Sequence, residues 1–547
     1  MKTFVGQTAQ IVVLVALTLA PAQATDINPA AYPHLSDKEL GHVRHMVRLA
    51  TQPPGEWADM GIVEPGQEGA DSYRYQLAFM GYALGIAQYH KTPAYREVYQ
   101  QALDGLIQKM LRRDVWGYWE LTSQGSLSLN PALTKPGEGW LDPVVKDNIM
   151  YSGHLFHMVS LYEALFRDHK YDQAGALTFV HDPPHRGTGR HAFVYDHASL
   201  AENLFGQFAA NGWMGIPCEL NAIFATCNQH PILGFLHFDH THRTEYAKMV
   251  TTKYKQRWQE RNFVDPKTKS VMTFYMVQQD QIVRSPAPWS DGWTGFFMHA
   301  WDKDAIEELY PTQKEKHLVW LPDGTATVPA TPPRPKMEEA TAPGTVSHHH
   351  AFMAVLASEV GDSEATAALL AYADKYWNPT WKDGGLYYPR SDAVGSDAQH
   401  INRHVLRIAG NALLGLARLN VKSGMWQLYN QPWEARHFAS PFLSAVAYPQ
   451  ALVKQAYYDQ TNKALIMTLV PGVEHSGTTT FHINQLDPRK TYTLTKNGRR
   501  VGHLQNGHFQ SAEEEDGASI RWQTETGVLV IETAIETPQT FVIAELV

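Results

Sequence analysis

The chain has 547 residues, 44% of them hydrophobic and 18% charged, with a formal net charge of −9 and two cysteines. That length can bury one large core and a smaller one. An acidic balance without any basic run excludes the electrostatic footprint of a nucleic-acid or anionic-membrane binder, which leaves small molecules as the expected partners.

Met1–Ala24 carries Lys2, an apolar run over Ile11–Ala20 and the triplet Ala22-Gln23-Ala24 before Thr25-Asp26. It reads as a secretory signal cleaved after Ala24. The run is shorter than the roughly 20 residues that span a bilayer. The mature chain is therefore expected to be exported, periplasmic or secreted, with no membrane span. Ser36–Ala50 has Leu40, Val43, Met46, Val47 and Ala50 at helical spacing behind an N-cap at Ser36. A Pro/Gly-rich loop, Pro53–Gly69, separates it from Tyr73–His90, a helix apolar on most sides and so expected to be buried. Tyr95–Arg112 is amphipathic; the aromatic cluster Val115–Glu120 and a long loop lead to Asn148–Phe166, again helical and apolar all round.

Ala198–Asn211, Asn221–His237 and Thr244–Arg261 continue the helical spacing. Pro311–Gly344 holds seven prolines and reads as a loop or linker, and helices resume at Ala351–Val360, Ser363–Trp377 and His404–Leu419. This succession predicts a mainly α body, an (α/α)6 barrel over residues 25–434. After Gln431-Pro432-Trp433 the texture changes. Ala464–Val470, Thr478–Ile483, Tyr492–Thr495, Gly527–Thr533 and Thr540–Leu546 read as short strands, with Lys496-Asn497-Gly498 as a hairpin turn. A small antiparallel β-domain is expected over 435–547, structural or carbohydrate-binding.

Both cysteines fall in one segment, Pro217–Asn228, with Glu219 beside Cys218 and Asn228 beside Cys227. Three readings compete: a disulfide, which an oxidising compartment favours, a reactive thiol pair, or two inert buried side chains. Histidines cluster at His348-His349-His350 and in HFDHTH, with His237, His240 and His242. Their spacing matches no closed metal-ligand set. No GxSxG elbow, Walker loop or DDxxD-type aspartate cluster is present.

Asn148–Leu155, reading NIMYSGHL, followed by Cys218-Glu219 and Cys227-Asn228, resembles the linalool dehydratase-isomerase family, from about Tyr73 through Asp239 and again near Pro288–Asp302 and Ser347–Gly361. The resemblance implies an exported (α/α)6-barrel enzyme that adds, removes or relocates water on small alkenols without cofactor or metal. It carries the family's thiols onto Cys218 and Cys227, its histidine onto His154, its loop aspartate onto Asp59 and its helix tyrosine onto Tyr75. A pocket tyrosine corresponds to Trp293, and the tyrosine six positions after the aspartate is Pro65 here, so linalool itself is not the implied substrate. Family members can complete the site at a subunit contact, which makes a homo-oligomer a further expectation.

Removing water from an allylic or tertiary alcohol needs a proton for the oxygen, a base for the neighbouring C–H, and walls that tolerate developing positive charge. A Cys/Cys/His group with Asp59 behind His154 supplies the acid and base. Tyr75, Tyr151, Phe224 and Trp293 supply aromatic faces, and Glu219 orients the loop or the substrate. Two alternatives stand beside this. One is a terpenoid cyclase on the same fold. The other is a carbohydrate-active barrel with an acidic pair about 5–10 Å apart, its cysteines a structural disulfide. Each of these residues also has a plain reading as core, cap or loop.

Overall fold

The computed structural model describes residues 27–61, 69–183, 189–284, 287–328, 347–391, 404–473, 477–512 and 518–546. The signal segment Met1–Ala24 and Pro65 lie outside the described residues. Twelve helices among these build the body. In chain order they are α1 (Asp37–Ala50), α2 (Tyr73–His90), α3 (Glu97–Met110), α4 (Ile149–Phe166), α5 (His197–Ala210) and α6 (Gln229–His242), then α7 (Tyr246–Arg261), α8 (Pro288–Met298), α9 (Lys303–His317), α10 (Ser347–Val360), α11 (Ser363–Tyr376) and α12 (Leu414–Leu419). A π-helical turn at Ala409–Leu413 leads into α12.

The even-numbered helices close a ring. α2 packs on α4, α4 on α6, α6 on α8, α8 on α10, α10 on α12, and α12 back on α2. Each odd-numbered helix packs outside one or two members of that ring. The fold is an (α/α)6 barrel with a C-terminal β-rich region. Sequence pattern explains which helix goes where. Every residue from Tyr73 to Gln88 in α2 and from Ile149 to Leu165 in α4 is buried, as an all-round apolar helix must be. The outer α7 buries only the stripe Ala247, Val250, Tyr254 and Trp258. Ser36 caps α1 in a reciprocal capping box with Glu39, and Asp196 and Asp362 cap α5 and α11.

Two expectations are corrected. The segment Asn221–His237 does not form one helix: Ala222–Phe224 is a strand, and α6 starts only at Gln229. Hydrogen bonds in the preceding loop outcompete the apolar spacing. The Pro311–Gly344 linker also begins too early, because Pro311 lies inside α9, where Leu309, Tyr310, Gln313 and His317 bury one face on both sides of it. That burial outweighs the hydrogen bond the proline cannot donate.

The C-terminal part holds two antiparallel sheets. The four-stranded sheet runs Phe442–Ser444, Thr478–Asn484, Val528–Ala534, Ala518–Gln523. The six-stranded sheet runs Ala451–Asp459, Ala464–Pro471, Gln539–Leu546, Thr491–Lys496, Arg499–Gln505, His508–Ser511. Phe481 meets Phe541 between them at 5.2 Å, and Asn497 and Gly498 make the left-handed hairpin turn. Backbone hydrogen bonds from Ala94 to Ala456 and from Leu443 to Ala94 stitch the α2–α3 turn to the strands, so barrel and sheets share one hydrophobic core.

Glycines test this packing. A methyl at Gly410 collides with the Tyr388 carbonyl oxygen, whereas a methyl on Gly206, exposed in α5, meets nothing. Gly410→Ala should lose about 1–3 kcal/mol and Gly206→Ala gain about 0.5–1 kcal/mol, seen as thermal midpoints shifted in opposite directions.

Candidate active site

The loop between α5 and α6 is held by two asparagine side chains. Asn228 accepts a hydrogen bond from the Ile216 N–H at 2.7 Å and donates to the carbonyls of Ile216 at 3.0 Å and Phe224 at 2.9 Å. Within the loop, Cys218 N–H donates to Ala222 O at 2.8 Å and Ala222 N–H to Glu219 O at 3.0 Å. Asn221, left-handed at φ 74°, makes the turn, and its amide is tied to Leu129 O and Gln279. The result brings the thiols together. Cys218 and Cys227 are both free and 1% and 5% exposed, and Cys218 is hydrogen-bonded to the Cys227 thiol and to the Phe224 N–H. Burial, and then the Cys227 neighbour, push the Cys218 thiol well up, so it stays protonated at neutral pH.

Behind the loop three imidazoles stack in the centre of the ring. His154 and His230 lie with centroids 3.7 Å apart, and Tyr82 stacks on His157 at 4.2 Å. Hydrogen bonding fixes two of their tautomers. The Trp293 indole, a donor only, gives its N–H to His230 Nε2 at 2.8 Å. Neutral His230 therefore carries its proton on Nδ1 and donates it to His157 Nδ1 at 3.3 Å, and His157 Nε2–H donates to Tyr429 Oη. His154 Nδ1 is paired with Tyr82 Oη at 2.8 Å. His154 Nε2, fully buried, has no hydrogen-bond partner. Burial lowers His154, His157 and His230 well below the ordinary imidazole range, with the Arg74 charge adding to the effect on His154 and neighbouring imidazoles to that on the other two. All three are neutral at pH 7.

A cavity of about 690 Å³ opens where the inner helices begin. Arg74 and Tyr75 reach it from the start of α2, Met150 from α4, Trp289 and Trp293 from α8, His348 from α10, and Glu219 from the loop. Tyr75 and Trp293 meet edge-on at 5.5 Å, and both rings lie against His154, at 5.6 and 6.0 Å. They therefore form the wall between His154 and the cavity. The Arg74 guanidinium, 3% exposed, packs over Tyr75 at 4.5 Å and Tyr118 at 4.1 Å. Glu219 is the single carboxylate among the described residues that line the space.

The expected residues divide. Tyr75, Trp293 and Glu219 line the cavity, His154 lies behind the first two, and the thiols pack in the loop beside Glu219. Tyr151 does not reach it: its hydroxyl donates to Met110 O at 2.6 Å and its ring meets Phe179. The Phe224 ring packs on Phe274, and only its backbone N–H serves Cys218. Asp59 does not back His154. Its carboxylate pairs with Arg48 at 2.7 Å and Lys382 at 2.9 Å, which keep it ionised against the cost of partial burial. Sequence reading passed over Arg74, Tyr82, His157, His230, Trp289 and Tyr429. Spacing offered one clue: His154 and His157 stand i, i+3 on a wholly apolar helix, which puts them on one face. The two histidine clusters disperse: His348 enters the cavity, His350 is spent on Thr327 and Leu369 O, and His237 stacks on Tyr429. His242 joins Glu163, Asp172 and His197 in a separate group of metal-ligand type. No helix among the described residues is long and apolar enough to cross a membrane.

The family described as linalool dehydratase/isomerase matches residues 74–394, more than half of the chain. Among solved structures, an unsaturated glucuronyl hydrolase from Bacillus sp. GL1 is 11% identical over 72% of this chain and 95% of its own, with a TM-score of 0.39. A family 76 α-mannanase from Bacteroides thetaiotaomicron is 11% identical over 66% and 88%, with a TM-score of 0.37. Likeness at this level says nothing about chemistry.

Two measurements check the electrostatics. At pH 8 iodoacetamide should leave Cys218 and Cys227 of the folded protein unmodified and label both in denaturant, read by mass spectrometry; an unlabelled mass about 2 Da lower after denaturation would reveal a disulfide instead. Burial lowers His237 to about 3, and both of its ring nitrogens lack partners. Below the unfolded imidazole value of about 6.5 the unfolded chain binds the extra protons, so stability is full above that pH and falls as pH drops. Each such histidine costs up to about 1.4 kcal/mol per pH unit, and His237→Phe should flatten the fall in thermal midpoint between pH 7 and pH 5.

Proposed function

The chain belongs to the linalool dehydratase/isomerase family, and on that premise we propose an exported, cofactor-independent hydro-lyase or isomerase of a small alkenol or terpenoid, with Cys218, Cys227 and His154 as its acid–base groups. One observation carries the reading. Of the six ring nitrogens in the buried histidine stack, five are hydrogen-bonded and His154 Nε2 is not. That nitrogen belongs to the ring that Tyr75 and Trp293, two walls of the cavity, cover.

The chemistry is a transfer between neutral groups. A thiol gives its proton to the hydroxyl oxygen as the C–O bond breaks. In this reading the Tyr75 and Trp293 rings part to admit the substrate, His154 Nε2 takes the proton from the neighbouring carbon as the C=C bond forms, water leaves, and the imidazolium returns its proton to the thiolate. Isomerisation returns the same water to the other end of the allylic system. Tyr75 and Trp293 present π-faces to the carbon that becomes positive.

One feature weighs against the carbohydrate-active alternative. A glycosidase needs two carboxyls about 5–10 Å apart, and Glu219 alone faces the cavity among the described lining residues. In this reading residues 25–434 are the catalytic unit and 435–547 brace it.

An anaerobic headspace assay with linalool, geraniol and shorter tertiary alkenols tests the proposal. Cys218→Ala, Cys227→Ala and His154→Gln should each lose at least about 100-fold in kcat, and Tyr151→Phe, remote from the cavity, should stay within a few-fold of the parent. Turnover that survives in the cysteine variants, or no alkenol turnover by folded protein with both thiols reduced, would sink it.

A further inference from the structure

At the other end of α4 a second polar cluster is closed on itself. Glu163, near the end of α4, meets Asp172 from the 3-10 turn Lys170–Asp172, His197 from the first position of α5 and His242 from the last position of α6. One ligand atom from each lies within 4.8 Å of all the others. His197 Nδ1 is 2.8 Å from Glu163 Oε2 and 3.4 Å from Asp172 Oδ1; His242 Nε2 is 3.1 Å from Asp172 Oδ1 and 3.8 Å from Glu163 Oε1. Donors held tetrahedrally about 2.0–2.2 Å from one ion stand about 3.3–3.6 Å from each other. These separations bracket that range.

Three further features point inward. The far nitrogen of each histidine is engaged by a hydroxyl, His197 Nε2 by Ser160 Oγ at 2.8 Å and His242 Nδ1 by Thr241 Oγ1 at 2.9 Å. Each ring is thereby aimed at the cluster with its other nitrogen, the outer-shell arrangement of metal-bound imidazoles. Glu163, its side chain 2% exposed, turns both carboxylate oxygens to imidazole nitrogens, Oε2 to His197 Nδ1 at 2.8 Å and Oε1 to His169 Nδ1 at 2.6 Å. His169 Nδ1 also reaches Asp172 Oδ2 at 3.0 Å, so it bridges the two carboxylates at the rim. Finally, two carboxylates face neutral-capable imidazoles, a charge that a divalent cation balances.

We propose that Glu163, Asp172, His197 and His242 bind one divalent cation of the zinc class, with His169 at the solvent-side rim, and that this ion clasps the ends of α4, α5 and α6. Two imidazoles and two carboxylates are a four-donor set suited to that ion. The role is structural, because nine residues of α4 put Glu163 about 13 Å along the helix from His154. The competing arrangement is a protonated His197 clamped between the two carboxylates, and the two differ in what they bind.

The full chain, stripped with chelator, is titrated with Zn²⁺ alone by calorimetry and by thermal melting, with metal content counted by elemental analysis. One equivalent bound, a raised melting midpoint, and binding more than about 100-fold weaker in Asp172→Asn and His242→Gln, beyond the cost of losing an outer-shell partner, are the expected results. Cys218→Ala should bind like the parent. No uptake by the stripped protein, uptake unchanged in both ligand variants, or uptake lost only in Cys218→Ala would each overturn the site. The variants are compared with the parent in chelator, where equal midpoints show that the ligands, and not the fold, were altered.

Discussion

A helix buried on every face has no water to offer its polar side chains, and that constraint organises this protein. The ring closes because α2 and α4 are apolar all round and can be covered only by other helices. Whatever polar groups those helices carry must then be satisfied by one another or remain orphaned at a cost of about 1–3 kcal/mol each. The run Trp293, His230, His157, Tyr429 is the solution: an indole that only donates sets the tautomer of every imidazole after it.

The same constraint makes His154 Nε2 conspicuous. A nitrogen left unpaired beside a network so completely paired is costly, and such strain concentrates where chemistry is done. Its neighbours are tuned alike. Burial keeps the Cys218 thiol protonated and His154 unprotonated at neutral pH. Arg74 and Glu219 are the charged exceptions at the wall, and their opposite signs limit the field the cavity feels.

The two ends of α4 solve opposite problems. Near its start the helix meets a loop that Asn228 holds shut by hydrogen bonds alone. Near its end Glu163 and three imidazoles gather at the ends of α4, α5 and α6, where histidine and carboxylate ligand atoms crowd one point. The first end buries neutral imidazoles, and the second gathers carboxylates.

Local pattern in the sequence determined the helical body and the presence of a β-rich C-terminal part. All-round apolar periodicity in Tyr73–His90 and Asn148–Phe166, the Ser36 cap and the Lys496-Asn497-Gly498 turn depend on neighbours a few positions away. NIMYSGHL and the two cysteines likewise carried the family resemblance that the family match over residues 74–394 supports. Only tertiary structure decided the rest. Asn221–Asn228 has helical spacing yet bends into strand and turn, because Asn228 and Asn221 reach partners as remote as Leu129 and Gln279. Tyr151 and Phe224 carry aromatic rings that sequence alone cannot aim, and Asp59 answers to Lys382, far along the chain. Arg74, His230 and Trp289 acquire meaning only when the ring of helices closes and brings their starts to one cavity; no spacing along the chain encodes that meeting.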